Sequence, residues 1–131
     1  MLTDRTVLLI EDNEQNRYLA TFLLEHHGCT VVAAPDGPSG IEAATTIVPD
    51  LILLDVQLPR MDGYAVARIL RDIGALDDVP IVAVTSYAMA GDREKAIAAG
   101  CNGYLEKPID PDTFVTDISA FLPHPSAEDV R

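Results

Sequence analysis

Short apolar runs alternate along the chain with longer segments in which apolar residues recur at helical spacing. "TVLLI" (6–10), "DLILLD" (50–55) and "VPIVAVT" (79–85) carry runs of consecutive apolar residues, the pattern of strands covered on both faces. "CTVVAA" (29–34) and "NGYLEK" (102–107) are weaker strands of the same series. A helix follows each. The first covers 14–27, with Asn13 placed to cap it and Gly28 to stop it. The second covers 38–47, with Pro49 just beyond, and the third begins near Gly63 and fades at Gly74. The fourth is "AGDREKAIAAG", ending at Gly100. The fifth starts at Pro111, a good first-turn residue, and stops before Pro123. Strands alternating with helices predict an α/β fold, a doubly wound, five-stranded parallel sheet with helices on both faces. One domain is expected over 1–122 and a frayed tail over 123–131.

Composition narrows the function classes. With 131 residues, 48% of them hydrophobic, the chain is long enough to bury a core. A net charge of -12 argues against a basic nucleic-acid-binding surface. It suits a soluble chain that meets basic partners or cations. Cys29 and Cys101 are the only cysteines and lack metal-type spacing, so they read as buried, reduced thiols. The apolar run at 7–10 is too short for a signal peptide, and no stretch approaches transmembrane length. A cytoplasmic protein without nucleic-acid or membrane partners is expected.

The chemistry lies where the strands end. In an open parallel α/β sheet, ligands bind outside the carboxyl ends of the strands. Glu11 and Asp12 follow the first strand, Asp55 ends the third, Thr85 and Ser86 follow the fourth, and Lys107 with Pro108 follows the fifth. Each has an ordinary use taken alone. An acidic pair complements a helix dipole, a strand-end aspartate caps a turn, and Lys-Pro makes a bend. Taken together, three carboxylates, a hydroxyl and an ammonium converge on one edge if those strands are neighbours. Crowded carboxylates raise one another's pKa or demand a cation, and oxygen ligands favour Mg²⁺ over zinc. A carboxylate is also a nucleophile able to take a phosphoryl group, whose oxygens a metal, a lysine and a hydroxyl would hold.

"LLIEDNEQNR", "PDLILLDVQLPRMDG", "IVAVTSYAMAGD" and "GYLEKPI" resemble the signature segments of receiver domains from two-component response regulators. The resemblance covers residues 5–122 and implies the flavodoxin-like strand order 2-1-3-4-5. It implies Asp55 as the phosphorylated aspartate, Asp12 as a direct Mg²⁺ ligand, and Glu11 as a carboxylate acting mainly through metal-bound water. By the same resemblance Gln57 lends its backbone carbonyl to the metal. Thr85 and Lys107 hold the phosphoryl group, Tyr104 is the aromatic switch residue, and the Lys107–Pro108 bond is cis. The implied partners are a histidine kinase or histidine phosphotransferase and downstream protein targets. The implied role is regulatory, with no chemistry beyond the chain's own phosphorylation and slow dephosphorylation. Two departures stand out: Glu11 where aspartate is common, and Ser86 where alanine is frequent. Tyr87 puts a ring near the phosphorylation site, where it either obstructs the attacking water or packs. "EDNEQNR" and "YAMAGD" are most similar to stand-alone receivers of the DivK type and to receivers inside hybrid histidine kinases. Met1 and the short stretch after the fifth helix favour the stand-alone form, with a domain cut from a larger regulator as the alternative.

The first helix offers a docking face. At about 100° per residue, Leu19, Ala20, Leu23, Leu24 and His27 share an arc of roughly 140°, the predicted core face. Tyr18 and Phe22 fall together on a flank outside it, an anchor for a partner helix; alternatively Phe22 closes the edge of the core. Two rival classes fit less well. A haloacid dehalogenase-type phosphohydrolase carries Asp-x-Asp after its first strand, where this chain has Glu-Asp, and the third strand offers Asp-Val-Gln. A flavin-binding domain needs a Ser/Thr-rich phosphate loop after "TVLLI", and clustered carboxylates would repel the flavin's phosphate.

Overall fold

A computed structural model describes residues 3–58, 61–86 and 90–122. Tyr87 and the tail at 123–131 lie outside the described residues. Five parallel strands run β1 (Thr6–Ile10), β2 (Thr30–Ala34), β3 (Leu51–Asp55), β4 (Ile81–Thr85) and β5 (Gly103–Glu106). They are ordered β2-β1-β3-β4-β5, the 2-1-3-4-5 order expected. The helices between and after them are α1 (Glu14–His26), α2 (Gly37–Ile47), α3 (Gly63–Arg71), α4 (Asp92–Ala98) and α5 (Phe114–Ser119), with a 3₁₀ turn at Gly74–Leu76.

The consecutive apolar runs serve both faces at once, because side chains alternate along a strand. Leu8, Ile10, Ile52, Leu54, Ile81 and Ala83 face one core, shared with Ala44 of α2, Val66, Ala67 and Leu70 of α3, and Ala96 of α4. Val7, Leu9, Leu51, Leu53 and Val82 face the other, shared with Ala20 and Leu24 of α1 and Phe114, Val115 and Ile118 of α5. β3 and β4 are buried throughout. The edge strands β2 and β5 are only partly covered, hence their weaker sequence signal.

Local chemistry moves several boundaries. Asn13 caps α1 as expected, its Oδ1 accepting from the Asn16 N–H at 2.9 Å, and Asp36 does the same for α2 through Ser39. α1 ends at His26, and His27 leaves the helical path, so the helical wheel no longer applies to it. His27 is exposed, with its ring nitrogen 2.9 Å from the Leu23 carbonyl, rather than on the core face. α5 begins at Phe114 rather than Pro111. Asp110 takes the intervening backbone into a turn, its Oδ1 accepting from Asp112 N–H and its carbonyl from the Thr113 and Phe114 N–H groups. Among the described residues no helix is long and apolar enough to cross a membrane. Cys29 and Cys101 are free and buried, and burial pushes both thiols up, Cys101 to about 11.

Candidate functional site

The register of the central strands assembles the site. Ile10 pairs with Leu54, which sets Glu11 beside Asp55 at the end of the sheet. Asp55 pairs with Val84 and Thr85 with Glu106, bringing the ends of β4 and β5 to the same edge. Strand ladders alone therefore gather residues scattered over nearly a hundred positions. The β5 end is held by a 2.7 Å hydrogen bond from the Lys107 N–H to the Thr85 carbonyl, followed by a cis Lys107–Pro108 bond. Gly63 opens α3 against this edge. A Cβ there would lie 2.3 Å from Val56 Cα and 2.8 Å from the Asp55 carbonyl oxygen, so only glycine admits the helix so close.

Glu11, Asp55 and Thr85 are the buried polar side chains among the described residues, at 3, 4 and 2% exposure. Lys107 Nζ lies 2.6 Å from Glu11 Oε1 and 3.3 Å from Asp55 Oδ2. Oxygens of Glu11, Asp12 and Asp55 all lie within 4.8 Å of one another, and Asp12 is exposed. Asp55 Oδ1 accepts from the Gln57 N–H at 2.8 Å.

Two carboxylates face the Lys107 ammonium here, and Glu11 shows the strain of that crowding in its protonation. Burial, then a hydrogen bond shared with Asp55, raises Glu11 to about 7 despite the opposing pull of Lys107. Burial works against the Lys107 charge, but its bonds to Glu11 and Asp55 and their negative charge outweigh that and raise its pKa. An oxygen-only set in which one ammonium faces two buried carboxyl groups and an exposed third fits a hard divalent cation.

Other expected residues surround this centre. Tyr104 is half-buried, and its hydroxyl is buried with no hydrogen-bond partner among the described residues. The Arg93 guanidinium carbon sits 5.7 Å from its ring centroid. Burial and the nearby Asp92 and Glu106 charges raise the Tyr104 hydroxyl, with Arg93 opposing. Tyr18 and Phe22 lie outside the carboxylate cluster on α1, exposed at 73 and 56%, their rings stacked at 6.5 Å. Phe22 stacks in turn on His26 at 6.2 Å.

Sequence reasoning passed over two participants. Gln57 was read for its backbone, yet its side-chain Oε1 also accepts from the Ser86 N–H at 2.9 Å, tying the loop after β3 to the loop after β4. Arg17 donates from Nη1 to the Glu11 and Asp12 carbonyls at 2.9 and 3.2 Å. Its place four residues beyond the cap Asn13, one turn along α1, was the available signal.

The profile of the response regulator receiver domain matches residues 7–119. The chain belongs to the response regulator receiver family. Receivers are the phospho-accepting partners of two-component signalling, and that is this chain's function. It is 37% identical over 118 residues to the polar-differentiation response regulator DivK of Brucella anthropi, covering 90% of this chain and 96% of that one. In structure it is similar to chemotaxis protein CheY4 of Vibrio cholerae, with a TM-score of 0.87, 26% identity, and coverage of 92 and 100% of the two chains. It is also similar to the receiver domain of the sensor histidine kinase PA1611 of Pseudomonas aeruginosa, with a TM-score of 0.83, 34% identity, and coverage of 91 and 98%. That receiver was solved with a magnesium ion coordinated in its active-site cleft.

Proposed function

We propose that Asp55 is the phosphoacceptor of this receiver and takes its phosphoryl group from a phosphohistidine of a histidine kinase or histidine phosphotransferase. The observation that carries the reading is Asp55 itself, 4% exposed at a strand end with Lys107 Nζ at 3.3 Å. An Asp55 carboxylate oxygen attacks phosphorus; the O–P bond forms as the N–P bond breaks, and the imidazole nitrogen leaves with the electron pair. The Lys107 ammonium stays by the phosphoryl oxygens, and the Thr85 hydroxyl donates to one of them. Asp12, Asp55 and the Gln57 carbonyl, with Glu11 in support, would hold Mg²⁺, which would neutralise charge on those oxygens.

The signal leaves through surfaces. Thr85 is drawn toward the phosphoryl group, and Tyr104 follows into the space released, changing the exposed side of α4 and β5. Tyr18 and Phe22 anchor the histidine-bearing partner along α1; their exposure supports this over an edge-of-core role for Phe22. The receiver unit spans 1–122, with 123–131 as a tail, and works in the cytoplasm as a regulator rather than an enzyme with turnover on other substrates.

Acetyl phosphate, with and without Mg²⁺, tests the site. Intact mass should show one added phosphoryl group with Mg²⁺, none in excess chelator, and none in Asp55→Ala. Equal labelling of Asp55→Ala would sink the assignment.

A further inference from the structure

The loop between β1 and α1 has to present two carboxylates in fixed directions, yet little secondary structure holds it. The Glu11 N–H still reaches the Ala34 carbonyl at 3.0 Å, and the Asn13 N–H turns back to Glu11 Oε2 at 3.2 Å. The Asn13 carbonyl already belongs to α1, accepting from the Arg17 N–H at 2.9 Å. The Glu11 and Asp12 carbonyls fall between strand and helix, and both accept from the same nitrogen, Arg17 Nη1, at 2.9 and 3.2 Å. Peptide units are planar, so fixing two successive carbonyls fixes the orientation of two peptide planes. The directions in which the side chains leave the chain are thereby constrained. Arg17 is only half-buried, and its backbone is already held as part of α1.

We propose that Arg17 is a positioning residue of the cation site, which acts by pinning the Glu11 and Asp12 carbonyls so that both carboxylates are aimed at Asp55. This rests on the reading that these carboxylates hold a divalent cation. The proposal has a sign that simple electrostatics does not share. The Arg17 charge sits against the loop that carries Glu11 and Asp12, so deleting it should tighten Mg²⁺ binding if repulsion between cations were all that mattered. Loss of alignment should weaken it. Groups that orient metal ligands from behind cost roughly 10–100-fold in affinity when removed.

Calorimetric titration with Mg²⁺ at neutral pH and low salt, on wild type, Arg17→Met and Arg17→Lys, decides between them. Methionine keeps most of the apolar stem, and lysine keeps the charge and donors on a shorter reach. We expect Arg17→Met to bind Mg²⁺ about tenfold more weakly, with Arg17→Lys in between. The metal-free melting temperature should hardly move, while amide shifts of residues 11–13 move without any metal present. Binding by Arg17→Met as tight as wild type, or tighter, overturns the proposal. If Arg17→Met melts too early to titrate, Arg17→Lys carries the test, and an affinity equal to wild type overturns it. A wild type that gives neither heat nor shift changes with Mg²⁺ sinks the cation reading first, an outcome distinct from either.

Discussion

Two regions of this receiver break the usual rule for side-chain placement, in opposite directions. At the sheet edge, Glu11 and Asp55 are buried where carboxylates are ordinarily solvated. On α1, Tyr18 and Phe22 are exposed at 73 and 56% where aromatics ordinarily contribute to a core. The first arrangement costs solvation and is offset by Lys107; the second forgoes apolar burial. The contrast separates two tasks. Burying charge raises the pKa of Glu11 and gathers carboxylates around an ammonium, the setting that the proposed phosphoryl chemistry would use. Exposing aromatics on α1, outside the carboxylate cluster, suits the proposed docking surface. Mutations in the two regions should therefore differ in kind as well as in size.

The largest effect is expected from removing the Lys107 ammonium at the edge. Lys107→Met leaves Glu11 and Asp55 facing each other without a counter-charge and should destabilise the fold by about 4 kcal/mol, the range for breaking a buried ion pair. Urea unfolding measures it, and acetyl phosphate labelling should fall in protein that is still folded. A loss of less than about 1 kcal/mol would match an exposed pair and show that the edge carboxylates are no more costly than surface ones.

Next comes pH. Folded Glu11 keeps its proton up to about 7, against an ordinary value of 4.5. Between those values the folded state binds more protons than the unfolded chain, so this group's contribution to stability falls as pH rises across the window. In chelator the cost should reach at most about 3 kcal/mol above pH 7. Glu11→Gln should flatten that part of the profile. Mg²⁺ binding, which needs the ionised carboxylate, should weaken as pH falls through 7. Parallel profiles for wild type and Glu11→Gln would show that Glu11 is an ordinary solvated acid.

The smallest change in stability is expected on α1. Phe22→Ser should stay within about 0.5 kcal/mol of wild type, as exposed substitutions do, and leave acetyl phosphate labelling intact. Transfer from the cognate kinase or phosphotransferase should slow. A core residue would instead cost about 3 kcal/mol, and labelling would fall with the fold. An early melt, or unchanged transfer in a stable variant, would remove α1 from the comparison.

The positions of the five βα units are written locally, because consecutive apolar runs and helical spacing are patterns that burial on both sheet faces demands. The sequence also put Glu11, Asp12, Asp55, Thr85 and Lys107 at strand ends, since position within a unit is local too. Periodicity did not supply the strand order, which came from the resemblance and depends on pairing between distant segments. Boundaries moved where a side chain redirected the backbone, as Asp110 does before α5, and where α1 ends one residue early, leaving His27 off its helical path. The raised pKa of Glu11 exists only in the folded chain, because burial and Asp55, 44 residues away, push it up against the pull of Lys107. The same holds for the Gln57 bridge to Ser86 and the grip of Arg17 on two carbonyls. A hydrogen bond depends on distance and direction in space, and those exist only once the strands have brought their ends together.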